Sequence, residues 1–194
     1  STIAFVKTID DCINKEIDFL LISGDLFNSS IPGIDKLKTV VEKLKELKDN
    51  NIPVYIIPGS HDFSPSGKTM LDVLESAGLC INVVKGSINK DNNKLKLQFQ
   101  NDKSGAKITG MLGKRGMLEK EYFEDLDINH LEAEDGFKIF MLHTALTELK
   151  SKDLQNMDSA PLSLLPKGFN YYAAGHVHER INQTIEGYGQ IVYP

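Results

Sequence analysis

The hydrophobic residues of this chain alternate between helical stripes and short continuous runs. Over 34–49, apolar residues recur at helical spacing while lysines and glutamates fill the other positions, which predicts an amphipathic helix. Residues 19–22 are apolar without a break, as in a strand that is buried on both faces of a parallel sheet. The same patterns predict further helices over 2–16, 68–77 and 117–125, and strands over 18–23, 52–57, 81–84, 137–142 and 171–174.

Between the third and fourth of these strands the pattern changes. Residues 94–100 alternate polar and apolar side chains, which predicts a half-exposed strand that forms a hairpin with 107–112. Residues 86–93 are predicted to be a loop. The repeated strand–helix pairs elsewhere predict an α/β fold with a largely parallel sheet and helices outside it.

Composition narrows the class of protein. The 194 residues are 41% hydrophobic and 25% charged, which suits one globular domain. The net charge of −5 provides no overall basic field for nucleic acid, so DNA binding would depend on local patches or bound metal ions. Cys12 and Cys80 form no CxxC pair, which argues against a disulfide framework or a thiolate zinc site. No apolar run is long enough for a membrane span, and no export leader is visible.

Four of the five histidines follow predicted strands. In a parallel sheet the carboxyl ends of the strands lie at one edge, so these side chains should converge there with an aspartate. Imidazole and carboxylate ligands without thiolate suit Mn, Fe, Zn or Ni, and two-metal sites of this kind catalyse in-line displacement at phosphorus. One histidine after a strand is more often structural, but four in this position favour a metal site. The segments are Gly24-Asp25, Gly59-Ser60-His61-Asp62, His143 and Gly175-His176-Val177-His178.

These segments resemble the motifs of calcineurin-like metallophosphoesterases in order and in spacing. Asp25 and His61 are 36 residues apart, and His143 and His176 are 33 apart. Residues 22–32 and 63–68 resemble the SbcD-like, meiotic-recombination type of nuclease of double-strand break repair. The resemblance implies a single metallophosphoesterase domain over 1–194, folded as a two-sheet β-sandwich flanked by helices (αββα).

The resemblance also implies a pair of divalent metals, with Mn²⁺ the usual activating ion. Asp25 matches the carboxylate that bridges both metals, His143 and His176 match ligands of one metal, and His178 matches a ligand of the other. Ser60 stands where the family has an asparagine ligand. A hydroxyl is shorter and less polarised than an amide, so we expect weaker binding of that metal, or binding through a water.

Two further residues match the family's catalytic loop. His61 corresponds to the histidine that contacts the phosphate and helps the leaving oxygen to depart, and Asp62 is expected to support this loop. The family's Asp-x-His motif, which supplies two ligands to the second metal, does not occur in the 194 residues. We expect it upstream of Ser1, in a longer chain that continues beyond both ends of this one, and we expect this chain by itself to be metal-poor and inactive.

DNA and protein partners are also implied by the resemblance. Lys114, Arg115 and Lys68 are predicted to contact DNA, although a solvated turn explains the same residues. The family dimerises through two helices and binds an SMC-like coiled-coil ATPase. In this chain the matching apolar stripes, which could equally pack on the sheet, include Leu37, Val41, Leu44, Met70, Leu71 and Leu74.

The sequence therefore predicts a manganese-dependent DNA nuclease of double-strand break repair, with exonuclease or endonuclease activity. Such a protein would be cytoplasmic and associated with the nucleoid. Two alternatives stay open. One is a non-catalytic dimeric scaffold for DNA ends or the ATPase, which Ser60 favours. The other is a phosphoesterase that acts on nucleotides or small phosphoesters.

Overall fold

The computed structural model describes residues 2–62, 68–113 and 122–194, and within them two sheets pack face to face. The smaller sheet has three parallel strands in the order β1, β2, β3. Its middle strand is buried along its whole length, whereas β1 at the edge is only partly buried, contrary to the prediction of burial on both faces. These strands are β1 (Leu20–Ser23), β2 (Val54–Ile57) and β3 (Ile81–Asn82).

The larger sheet in the described residues has six strands in the order β12, β13, β11, β8, β7, β6. Its centre is parallel, because β8 pairs in parallel with both β7 and β11, and β11 with β13. The outer pairs, β6 with β7 and β12 with β13, are antiparallel. The strands are β6 (Gln100–Asn101), β7 (Lys107–Gly110), β8 (Lys138–Leu142), β11 (Tyr171–Ala174), β12 (Ile181–Ile185) and β13 (Gly189–Tyr193).

The remaining elements are short strands and helices around these sheets. A pair of two-residue strands, β9 with β10, is parallel. Three 3₁₀ turns lie at 147–149, 152–154 and 162–164. Among the described residues, no helix combines the length and apolar character that a membrane crossing requires. These elements are α1 (Thr2–Asn14), α2 (Ile34–Asp49), α3 (Met70–Ser76), α4 (Ile128–Ala133), β4 (Gly86–Ile88), β5 (Leu95–Leu97), β9 (Ala145–Leu146) and β10 (Ser159–Ala160).

Alternate residues of the strands divide the core into layers. On β8, Ile139 and Met141 face the smaller sheet and pack with Tyr55 and Ile57 of β2. Phe140, on the opposite face, packs in a separate core cluster that is rich in aromatic side chains. This division follows from the period of two along a strand. The two facing sheets confirm the predicted α/β sandwich flanked by helices.

Helices α1, α2 and α3 cover the outer face of the smaller sheet. Leu44, Leu71 and Leu74 are at most 1% exposed and pack there with Ile56, which favours the alternative that these side chains pack on the sheet, and their role as dimer contacts stays a prediction. A sheet and a partner helix both select the same apolar stripe, which is why the pattern could not separate them. Three other predicted contacts, Leu37, Val41 and Met70, are only partly buried.

The segment between β3 and β7 differs from its prediction. Residues 86–88 form a strand instead of a loop, and it pairs antiparallel with β5 around a turn in which the Asn89 N–H donates to Lys94 O over 2.8 Å. The predicted hairpin of 94–100 with 107–112 is therefore reduced to β6 and β7. Most of the helix predicted over 117–125 lies outside the described residues.

Candidate metal centre

The ends of four strands meet at one edge of the sandwich. Asp25 follows β1, Ser60 follows β2, His143 follows β8 directly, and His176 follows β11. Asp25, His143 and His176 each place a ligand atom within 4.8 Å of those of the other two. A carboxylate from the smaller sheet thus meets two imidazoles from the larger sheet.

Asp25 is the most connected carboxylate at this edge. Its Oδ2 lies 3.2 Å from His143 Nε2 and 2.9 Å from His61 Nδ1, and its Oδ1 accepts the His61 backbone N–H over 2.8 Å. Burial by itself would raise the pKa of Asp25, but the hydrogen bonds from His143 and His61 outweigh it and hold the pKa well below its usual range. Asp25 is therefore ionised at neutral pH, as a metal ligand must be.

The two imidazoles are oriented by their surroundings. His143 is 2% exposed, and its Nδ1 lies 2.6 Å from the backbone carbonyl of Ser23, an acceptor that fixes the proton on Nδ1 and leaves Nε2 to face Asp25. The His176 ring lies 5.2 Å from the His143 ring, on a backbone with a φ of 80°. Burial, reinforced by nearby His143, lowers the pKa of His176 and keeps this imidazole neutral.

Asp62 connects two loops of the site. Its Oδ2 accepts the backbone N–H of Asp25 over 3.0 Å and that of Gly59 over 2.7 Å. The carboxyl is 3% exposed, and burial raises its pKa against the opposing hydrogen bond from Gly59. Asp62 therefore holds the loop of Asp25 against that of His61, and it is too buried to reach a substrate.

Ser60 and His178 lie beside this group, and their roles as ligands stay predictions. Ser60 is 7% exposed, and its hydroxyl donates to Asp25 Oδ2 over 3.4 Å, so it lies beside this carboxylate. His178 is exposed and is not part of the group formed by Asp25, His143 and His176. Both histidines of the His-x-His segment nevertheless line one cavity of about 610 Å³, which runs along β1 between α1 and the start of α2.

The predicted DNA contacts are only partly described. Lys114 and Arg115 lie outside the described residues, and Lys68 is exposed. Two neighbours of the site, Ser23 and Gly113, are not among the predicted site residues. A Cβ on Gly113 would come within 2.5 Å of His143 Cδ2, and nothing in the local pattern except its position after β7 indicates this approach.

The chemistry of this group fits a divalent cation. Two ligands that are each about 2.1 Å from one ion lie roughly 3.0–3.4 Å apart, and Asp25 Oδ2 and His143 Nε2 are 3.2 Å apart. A carboxylate with imidazoles, which bind metals in their neutral form, suits Mn, Fe, Zn or Ni and does not separate them. The donor set therefore defines a candidate metal centre at the edge of an α/β sandwich.

Comparison with known proteins agrees with this class. The family model of the calcineurin-like phosphoesterases matches residues 2–180, so the chain belongs to that family. It is similar to proteins named DNA double-strand break repair protein Mre11. The Archaeoglobus fulgidus protein is 30% identical over 90% of this chain and 40% of its own length, and the Methanococcus maripaludis protein is 31% identical over 94% and 46%. The chain thus spans less than half the length of these relatives.

A solved structure shares the fold. The crystal structure of TT1561 of Thermus thermophilus matches 98% of this chain and 80% of its own, with a TM-score of 0.57 and 16% identity. At this identity the likeness concerns the arrangement of helices and strands, and it agrees with the sandwich described above.

Proposed function

We propose that this chain is the phosphoesterase domain of a manganese-dependent DNA nuclease that acts in double-strand break repair. The observation that carries the proposal is the approach of the Asp25 carboxylate to His143 and His176 within ligand distance. The names of the Mre11 relatives supply the substrate class.

Each residue of the edge has a role in this proposal. Asp25, His143 and His176, with Ser60 beside them, would hold one divalent ion, and Asp25 with His178 would contribute to a second. Bound ions would supply Lewis-acid polarisation of the phosphate and activation of water. The remaining work falls to side chains that can reach the substrate.

His61 is the side chain placed for proton transfer. Its Nδ1 is 2.9 Å from Asp25 Oδ2, which orients the ring, and 44% of the side chain is exposed. An oriented and accessible imidazole can contact a phosphate and give a proton to the leaving oxygen. Asp62 supports this geometry through the backbone of both loops.

The partners follow from the same proposal. DNA would contact Lys68 and the pair Lys114 and Arg115, and a homodimer would use the partly buried side chains that include Leu37 and Val41 of α2. An SMC-like coiled-coil ATPase would complete the complex, in the cytoplasm near the nucleoid. We expect residues 1–194 alone to be inactive, because they contain no Asp-x-His.

The test is cleavage of end-labelled duplex DNA by the full-length gene product with and without Mn²⁺. His61→Ala removes the proposed proton donor, while His130→Ala is a matched control, because His130 contacts the carbonyl of Leu97 away from this edge. A chromogenic phosphodiester is assayed in parallel, and DNA binding is measured for each protein.

We expect Mn²⁺-dependent cleavage that is lost in His61→Ala and kept in His130→Ala. Turnover of the chromogenic ester without degradation of DNA would overturn the substrate and indicate a small-phosphoester enzyme. DNA binding and dimerisation without any cleavage, with metal bound, would overturn catalysis and indicate a scaffold.

A further inference from the structure

The hydroxyl of Ser23 joins the two sheets at the metal centre. Ser23 is the last residue of β1, and its side chain lies on the face that packs against the larger sheet. Its Oγ donates to the backbone carbonyl of Ala173 in β11 over 2.8 Å. A side chain of the smaller sheet is thus attached to a main-chain atom of the larger one, two residues before Asp25 and three before His176.

The backbone carbonyl of the same residue orients a proposed ligand. Ser23 O accepts the Nδ1–H of His143 over 2.6 Å. This contact holds a proton on Nδ1, so Nε2, which faces Asp25 Oδ2 at 3.2 Å, is the ring atom left to bind a metal. If β1 shifted against β11, this carbonyl would move away from His143, and the tautomer would no longer be fixed.

The backbones of β1 and β11 have little room to move closer together than they already are. A Cβ on Gly175 would lie 2.0 Å from Ser23 O, so the main chain after β11 already lies against this carbonyl. Steric contact therefore prevents β1 and β11 from moving closer together. Among the contacts of Ser23, the hydrogen bond from its hydroxyl to Ala173 O prevents them from moving apart. Together they set the distance between the end of β1 and the end of β11.

We propose that Ser23 is a positioning residue of the metal centre, whose hydroxyl holds β1 against β11 so that its own carbonyl fixes the tautomer of His143 and the approach of Asp25 to His176. This inference rests on the proposed metal site. It goes beyond the site residues named above, because Ser23 is proposed to act through His143 and not as a ligand.

The test compares Ser23→Ala, which removes the hydroxyl, with Ser23→Thr, which keeps it on a residue suited to a strand. Ser29→Ala is the matched control, because the Ser29 hydroxyl donates to Ile31 O in an exposed loop. Mn²⁺ affinity of the full-length gene product and its variants is measured by titration calorimetry. Long-range ¹H–¹⁵N correlation spectra of the metal-free proteins report whether Nδ1 of His143 carries a proton.

We expect Ser23→Ala to weaken Mn²⁺ binding about tenfold, in the range of residues that orient metal ligands, while Ser23→Thr and Ser29→Ala bind as the parent does. The parent spectrum should show a proton on His143 Nδ1, and Ser23→Ala should show this nitrogen only partly protonated. Equal Mn²⁺ affinity of Ser23→Ala and the parent would overturn the proposal, and so would failure of Ser23→Thr to restore the loss.

The spectrum of the parent protein decides the matter even if Ser23→Ala does not fold, because a His143 ring without a proton on Nδ1 would overturn the proposal directly. The two proposals also fail separately. A parent protein that binds no Mn²⁺ would refute the metal site, whereas a parent that binds Mn²⁺ with affinity independent of the Ser23 hydroxyl would refute only the positioning role.

Discussion

Gly175→Ala offers a sharp test of how closely the two sheets approach at the metal centre. A Cβ at this position would lie 2.0 Å from Ser23 O and 2.9 Å from His143 Nδ1. Carbon and oxygen atoms in ordinary contact are about 3.3 Å apart. The added methyl group therefore demands a separation of more than ~1 Å between the loop after β11 and the end of β1.

The expected losses of metal affinity and of stability follow from the contacts that this separation would break. The 2.6 Å contact between His143 Nδ1 and Ser23 O cannot survive an outward movement of that size, and Asp25 moves with the same loop. Loss of a contact that orients a metal ligand costs ~10–100-fold in metal affinity. Overpacking of a close-packed site costs about 1–3 kcal/mol in the free energy of unfolding.

The assay measures Mn²⁺ affinity by titration calorimetry and stability by urea unfolding. Gly33→Ala is the matched control, since it makes the same substitution at an exposed glycine with φ of −60° and no atom within 4 Å of the added Cβ. We expect Gly33→Ala to behave as the parent does. If Gly175→Ala matched Gly33→Ala in both measurements, the close approach of the sheets would not be required for the site, and the reasoning would be refuted.

Three further predictions concern other parts of the chain. Ser60→Asn, which supplies an amide oxygen where a hydroxyl lies beside Asp25, should tighten Mn²⁺ binding by up to ~tenfold; an unchanged calorimetric affinity would contradict a ligand role at this position. Burial alone would raise the pKa of Asp102, but hydrogen bonds from Ser104 and Tyr55 outweigh it and lower the pKa. The ionised carboxylate therefore stabilises the folded state above about pH 4, and this stabilisation is lost as the pH falls further. Asp102→Asn should therefore lose less stability than the parent between pH 5 and pH 3, and equal urea midpoint shifts would refute this. Leu44→Ala, at a position that is 0% exposed, should lower the free energy of unfolding by about 2–5 kcal/mol, and a loss under ~1 kcal/mol would contradict the core assignment.

The convergence at the edge could be predicted because it depends on topology more than on detail. Each of the segments with Asp25, His143 and His176 follows an unbroken apolar run, and parallel strands bring their carboxyl ends to one edge. A buried strand is readily recognised from such a run, as β2 and β8 show with burial at every residue. The three members of the candidate metal centre could therefore be predicted without knowing the distances between them.

What the pattern could not predict depends on contacts between segments distant in sequence. The strand at 86–88 is exposed at all three residues, so it has no apolar periodicity and exists through its pairing with β5. Leu44 lies on a stripe that a sheet or a partner would bury equally well. The role of Ser23 depends on a carbonyl 150 residues away in sequence, which no local signal indicates.

The ligands of the candidate metal centre are divided between the two sheets. A bound ion is therefore expected to stabilise the folded state. Asp25 extends from the smaller sheet while His143 and His176 extend from the larger, so an ion bound by all three would oppose separation of the two layers. A ligand that binds only the folded state at 100 times its dissociation constant adds about 2.7 kcal/mol to the free energy of unfolding. We expect Mn²⁺ at that concentration to raise the urea midpoint accordingly, chelation to reverse the shift, and Asp25→Asn to abolish it. A shift that persisted in Asp25→Asn would place the bound ion elsewhere, because this carboxylate is the part of the group that the smaller sheet contributes.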